Sequence, residues 1–139
     1  MSRTYSDPSY GSRKNITLPE SAAVTGTGTA VDVNCNHKVM YPVTVQDFNL
    51  VATTAGTSGV AFDVILGYET GGTGTWTAIG TASKGTANTA IGAAIDGSVT
   101  ATNLSADDHL SLHMDGTAQD VLTVVGNVEV IERFVQSDS

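Results

Sequence analysis

The segment Asp107–Gly116, "DDHLSLHMDG", alternates apolar and polar residues, and this alternation decides the fold class. An apolar residue at every second position is the period of a β-strand with one buried face. A helix would instead need apolar residues three and four positions apart. We therefore predict a strand whose buried side carries Leu110, Leu112 and Met114. Its solvent-facing side carries His109, Ser111 and His113.

The two histidines of this strand raise the question of a metal site. His109 and His113 are four residues apart, which is roughly 13 Å along an extended strand. A zinc ion with bonds of about 2 Å cannot bridge them. We therefore predict no metal site within one chain. A site built from symmetry-related copies of one histidine stays open.

Other chemistry-bearing motifs have simpler structural interpretations. Asp107 and Asp108 could bind calcium, but the spaced oxygen ligands of a calcium loop are missing, so we predict turn aspartates bonded to backbone. "GTG" at 26–28 and "GGTG" at 71–74 lack the rest of a phosphate-binding loop, so we predict turns. No G-x-S-x-G motif occurs, and His37 lies in a polar turn. The prediction is a non-enzymatic protein without cofactors.

Strand patterns extend over the rest of the chain, with turn signals between them. In 39–52 the inward-facing residues change from odd positions, ending at Val45, to even positions, starting at Phe48, which predicts a β-bulge. Pro42 predicts that this strand lies at a sheet edge or contains a break. Turns that recur at this spacing are typical of a sandwich or barrel. We predict an all-β fold, an antiparallel β-sandwich of jelly-roll type with about eight strands. The predicted strands cover 16–18 leading into 22–24, then 29–35, 39–52, 59–70, 75–81, 87–95, 97–102, 107–114 and 120–135.

Length and composition agree with one β-rich domain. The chain has 139 residues, and only 14% of them are charged. Glycine, threonine, valine and alanine dominate, which suits pleated strands and tight turns. Cys35 is the single cysteine and alternates with Val31 and Val33, so we predict a small core residue. We assign one β-sandwich domain to residues 16–139.

Residues 1–15 differ from the rest in charge and pattern. Positions 1–14 carry three cations against one acid, a net charge of +2, and the remainder carries three cations against 13 acids, a net charge of −10. The acidic body argues against nucleic acid as a partner. The N-terminus lacks the apolar run of a secretory signal, and nowhere do about 20 apolar residues follow one another, so no membrane is predicted. We predict an extended arm whose contact residues are Arg3, Tyr5, Tyr10, Arg13 and Lys14.

Trp76 in "GTWTAIG" has two interpretations. Its alternation with Ala78 and Gly80 fits packing in the core of the sandwich equally well, and a lone tryptophan in a β-sandwich is more often a core residue. Exposed on the surface, it would be a platform on which a sugar ring could stack. The sequence favours the core.

The segment 104–134, "LSADDHLSLHMDGTAQDVLTVVGNVEVIERF", resembles the closing hairpin of small virion proteins of tailed phages. In those proteins an acidic-x-Leu-Ser-Leu phrase precedes Gly-Thr-Ala, an aliphatic strand and a Val-x-Val ending. The chain is similar to capsid decoration (cement) proteins and related auxiliary head proteins. This resemblance implies a homotrimer on the outer surface of an icosahedral capsid, bound to the major capsid protein and bridging its subunits.

Two other functions compete with this expectation. A tail-fibre or adhesin-type β-sandwich module would bind host glycans through Trp76 or loop tyrosines. A hydrolase on a β-sandwich would need carboxylates clustered in a cleft. Period-two burial predicts instead that no cleft gathers reactive groups.

Overall fold

Ten strands make up the described part of the chain. The computed structural model describes residues 13–21, 31–32, 36–54, 62–71, 74–84, 91–115 and 123–133. None of these residues is helical, so no helix among them is long and apolar enough to cross a membrane. The strands are β1 (Arg13–Thr17), β2 (Val31–Asp32), β3 (His37–Lys38), β4 (Val43–Ala52), β5 (Phe62–Glu69), β6 (Trp76–Lys84), β7 (Ala94–Val99), β8 (Thr102–Leu104), β9 (His109–Asp115) and β10 (Val124–Glu132).

The strands form one folded antiparallel sheet in the order β1-β10-β4-β7-β6-β5-β9-β2, with β8 also on β4 and β3 also on β9. Strand β7 connects the two halves of the folded sheet, because Ala94–Asp96 pair with β4 whereas Gly97–Val99 pair with β6. One layer, the β4 sheet, contains β1, β10, β4 and β8; the other, the β9 sheet, contains β6, β5, β9, β2 and β3. The predicted antiparallel sandwich of jelly-roll type is confirmed. It has more strands than the eight predicted because several are only two or three residues long.

Alternate side chains of the long strands fill the space between the layers. Along β10 every second residue from Val124 to Glu132 is buried. Along β9 the predicted apolar set is buried, with Leu110 and Leu112 fully so. Aliphatic residues dominate this core, which contains Leu18, Val39, Val43, Val45, Phe48, Leu50, Ala52, Val64, Leu66, Ala82, Leu104, Leu110, Leu112, Met114, Val124, Val128 and Val130.

The predicted bulge in β4 is present. Glu129 of β10 pairs with Asp47 and the next residue, Val130, pairs with Val45, so Gln46 is the extra residue. After one extra residue in a strand, side chains at positions that would have pointed outward point inward, and the reverse. Val45 and Phe48 can therefore both be buried although they are three positions apart.

A second bulge, in β6, was not predicted and reverses the expected position of Trp76. Leu66 pairs with Gly80 and Gly67 pairs with Ala78, so Ile79 is the extra residue. Trp76 thereby moves to the outer face, opposite Glu69, and is only partly buried. The prediction that Trp76 packs in the core is wrong for this reason.

The paired backbone begins before the predicted domain boundary at residue 16. Arg13, Lys14 and Asn15, assigned to the arm from the sequence, pair with β10 as part of β1. The predicted strand at 22–24 and the predicted burial of Val33 and Cys35 lie outside the described residues.

Candidate functional site

The outer face of the β9 sheet collects the polar residues that the sequence singled out. His109, Ser111 and His113 occupy successive outward positions on β9, opposite Glu69, Gly67 and Ile65 of β5, respectively. His109 and His113 are both partly exposed, whereas the leucines between them are buried. The prediction that the two histidines share the polar face is confirmed.

Trp76 reaches from β6 across β5 to β9 and contacts two of these residues. Its indole Nε1 donates a hydrogen bond to Ser111 Oγ at 2.8 Å. Its rings stack on the His113 imidazole, with centroids 3.7 Å apart and planes 2° from parallel. Since His113 and His109 lie on opposite sides of Ser111 along β9, the indole face remote from His113 is turned toward His109 and Glu69.

Gly67 makes room for the indole. A Cβ placed on Gly67 would overlap the indole Cζ2 and Cε2 atoms and lie 2.6 Å from the carbonyl oxygen of Thr77. A glycine inside a strand often marks such a close approach. The aromatic ring can therefore rest against the β5 backbone only because residue 67 has no side chain.

A surface groove of about 560 Å³ opens beside the indole, and we call it the Trp76 groove. The Glu69 carboxylate at its wall accepts a hydrogen bond from the Gly74 N–H at 3.0 Å. Gly74 has a φ of 75°, a conformation that glycine adopts without strain. The groove is lined by Asn36, Glu69, Gly74, Trp76, His109, Ser111 and His113.

The groove corrects the expectation that no cleft gathers reactive groups, since both histidines and Glu69 line it. Across the described ranges, no three His, Cys, Asp or Glu side chains are placed to hold a metal ion. His113 is stacked on the indole and the Ser111 hydroxyl accepts the indole N–H, so both have structural roles here.

Asp108 has the turn role predicted for it. It is 7% exposed, and its two carboxylate oxygens accept hydrogen bonds from the Gly71 N–H at 3.3 Å and the Ser105 N–H at 2.9 Å. Asp107 has a φ of 76° and lies 3.2 Å from Lys38 Nζ. These bonds hold the β8–β9 turn beside the loop that follows β5.

Two of the five predicted arm contacts lie in β1 and form ion pairs with β10. Arg13 pairs with Glu129, and Lys14 Nζ lies 3.6 Å from Glu132 Oε1. The other three, Arg3, Tyr5 and Tyr10, lie outside the described residues.

Glu132 links Lys14 to an exposed aromatic residue. The buried Glu132 carboxylate is hydrogen-bonded to the Tyr41 hydroxyl. This bond, together with partial burial and the negative charge of Glu132, raises the pKa of Tyr41 above its ordinary value. The Tyr41–Glu132 hydrogen bond connects the segment just before β4 to the end of β10.

A second groove, of about 680 Å³, lies along β6 and β7. Its walls are mainly threonine, serine and small apolar residues, and Tyr68 is its one titratable side chain among the described residues. Among its described lining residues it has no carboxylate and no imidazole, in contrast to the Trp76 groove.

Comparisons with known proteins add little to this geometry. No protein-family model and no curated protein sequence matches the chain. Among solved structures it is similar to the structure of Eiger TNF from S. frugiperda, with 12% sequence identity and a TM-score of 0.40. That alignment covers 89% of this chain and 96% of the other. A similarity of this degree carries no argument about activity or partner.

Proposed function

We propose that the protein is a non-enzymatic structural protein of a virion, a homotrimer that binds the outside of an icosahedral phage capsid and bridges its subunits. The observation that carries this proposal is the aliphatic interior of the sandwich, which is built mainly from the inward residues of β4, β5, β9 and β10. In a protein built this way, the outer faces of the sheets, the sheet edges and the chain termini are the parts that can bind a partner. The resemblance of residues 104–134 to virion proteins is the reason for proposing the major capsid protein as the partner.

The N-terminal segment is the proposed contact with the capsid. Strand β1 is at one end of the strand order, and an edge strand can continue into a segment that meets another chain. Arg13 and Lys14 hold β1 to β10 through Glu129 and Glu132, so they anchor the base of the segment. The 12 preceding residues would span roughly 40 Å when extended.

The charge distribution is compatible with this arrangement. The N-terminal 14 residues are net +2, whereas the remaining chain is net −10. A basic, aromatic segment favours binding to a partner surface, and an acidic body favours solubility on the outside of a particle. Many copies on one shell would also add their individual affinities through multivalency.

We expect the double variant Tyr5→Ala and Tyr10→Ala, made in the full-length chain, to bind purified phage heads at least about tenfold more weakly. Losing an anchoring aromatic costs more than about 1 kcal/mol at many interfaces, and about 1.4 kcal/mol is a tenfold change in Kd. The measurement is co-sedimentation with heads of the phage that encodes the protein, after separation from tails.

Lys38→Ala is the matched control, because Lys38 is an exposed cation of the body that pairs only with a surface acid in the described structure. It should bind heads like the wild type. Unchanged sedimentation of the double variant would contradict the arm contact. If the protein were found on tail fibres and not on heads, the capsid proposal would fail as a whole.

That last outcome would favour the second candidate function, a tail-fibre or adhesin-type module that binds host glycans. The observation in its favour is the outward position of Trp76, which the sequence alone did not predict.

A further inference from the structure

We propose that the Trp76 groove is a binding site for a neutral pyranose sugar, which stacks on the indole face remote from His113. The inference does not depend on the capsid proposal, because a sugar site is compatible with a place on the head or on a fibre. It depends on how the groove holds its aromatic ring and its hydrogen-bonding groups.

The indole is held in a fixed orientation before any ligand arrives. Ser111 is 4% exposed and accepts the indole N–H, His113 covers one ring face, and Gly67 leaves space for the ring edge. Three contacts from two neighbouring strands thus restrict the rotation of one side chain. A binding group that is already immobilised loses less entropy on binding.

Hydrogen-bonding groups stand on the side of the indole where the sugar would lie. Glu69 and His109 are directly paired across β5 and β9, a register that brings Cβ atoms to about 4.5–5.5 Å. The Gly74 N–H holds Glu69 Oε1 in place. Exposed Asn36, which precedes β3 on the other side of β9, also lines the groove and adds an amide. A carboxylate, an imidazole and an amide together offer both acceptors and donors, as neighbouring hydroxyls require.

The charge of the groove determines which class of sugar it can bind. Glu69 is the acidic member of the groove wall, and no lysine or arginine is among the lining residues that the structure describes. The chain from residue 15 onward is net −10. Sialic acids, uronic acids and sugar phosphates would be repelled, so neutral hexoses and N-acetylhexosamines are the predicted ligands.

Two other ligand classes fit the groove less well. A metal ion would find Glu69 and His109, but His113 is four residues farther along β9, opposite Ile65, so a third strong ligand is missing within the described set. A quaternary ammonium group prefers a cage of several aromatic rings. The described groove offers one indole, of which His113 already covers one face.

The test titrates the full-length protein with methyl glycosides of glucose, galactose and mannose, and with N-acetylglucosamine. Trp76 is the single tryptophan, so its emission and its indole N–H signal in NMR report on this groove alone. We expect at least one of these sugars to shift both signals, with a Kd on the order of 1 mM for a monosaccharide. Saturation transfer from protein to sugar protons measures the same binding in variants without tryptophan.

Glu69→Gln should raise this Kd about tenfold, through loss of a charge-assisted hydrogen bond. Trp76→Ala should abolish saturation transfer, and Trp76→Phe should restore part of it. Thr81→Ala, in the second groove, is the matched control and should bind like the wild type.

The inference is overturned if none of the four sugars binds, or if Trp76→Ala binds as well as the wild type. It is also overturned if glucuronate or choline binds more tightly than every neutral sugar. None of these outcomes touches co-sedimentation with heads, so the two proposals fail separately.

Discussion

Leu112→Ala is expected to lower the free energy of unfolding by about 2–5 kcal/mol, the range for truncating a fully buried leucine. Leu112 is 0% exposed and pairs with Leu66 within the β9 sheet. Its Cδ1 atom also lies 3.3 Å from where a Gly126 Cβ would be, on the opposite layer. The side chain therefore joins the two layers, and its loss leaves a cavity between them. Urea denaturation followed by Trp76 emission measures the change.

Ile91→Ala is the control for this prediction, because it removes aliphatic atoms from a side chain that is 70% exposed. Surface substitutions of this kind usually change stability by less than about 0.5 kcal/mol. Equal losses for the two variants would mean that Leu112 does not lie between two packed layers.

Gly67→Ala is expected to break the stack of Trp76 on His113. The added Cβ would overlap the indole and lie 2.6 Å from the Thr77 carbonyl oxygen, a backbone atom with little freedom to move. We expect the indole emission to shift to longer wavelength, stability to fall by about 1–3 kcal/mol, and sugar binding to be lost. Emission spectra, urea denaturation and saturation transfer measure the three effects.

Gly126→Ala is the matched control within another strand. The nearest atoms to its added Cβ are Leu18 Cδ1 at 3.1 Å and Leu112 Cδ1 at 3.3 Å, the ends of flexible side chains. We expect a smaller loss of stability than for Gly67→Ala and an unchanged emission spectrum, since repacking side-chain ends is less costly than moving backbone. A Gly67→Ala protein with wild-type emission would contradict the position assigned to the indole.

The fold could be predicted because its main signals are local. The alternation of Leu110, Leu112 and Met114 is complete within one strand, and the bulge in β4 is visible as a phase change between Val45 and Phe48. Each of these signals needs only the period of a strand.

The bulge in β6 lacked such a signal. Ala78, Ile79 and Gly80 are all small or apolar, so either phase of alternation fits them equally well. Only the pairing with β5 decides which face Trp76 occupies. The first three residues of β1 were assigned to the arm because they are all polar, and Ile16 is the one apolar side chain of that strand.

The Trp76 groove could not be assembled from the sequence, because it combines residues of β5, β6 and β9 with Asn36, which precedes β3. One signal did point toward it. Gly67 is the one glycine within β5, and a glycine inside a strand can mark a close approach by another group. The sequence does not say which group makes that approach.

Single-cysteine labelling along β9 tests the central claim most directly, in a Cys35→Ser background that removes the one native thiol. Residues 109 to 114 are changed to cysteine one at a time and reacted with a thiol reagent. Cysteines at 109 and 113 should react fast, whereas those at 110, 112 and 114 should react slowly. Position 111 should also react slowly, because the indole covers it, and should become fast when Trp76→Ala is added. Similar rates at all six positions, or a position 111 that stays slow when Trp76→Ala is added, would contradict the account.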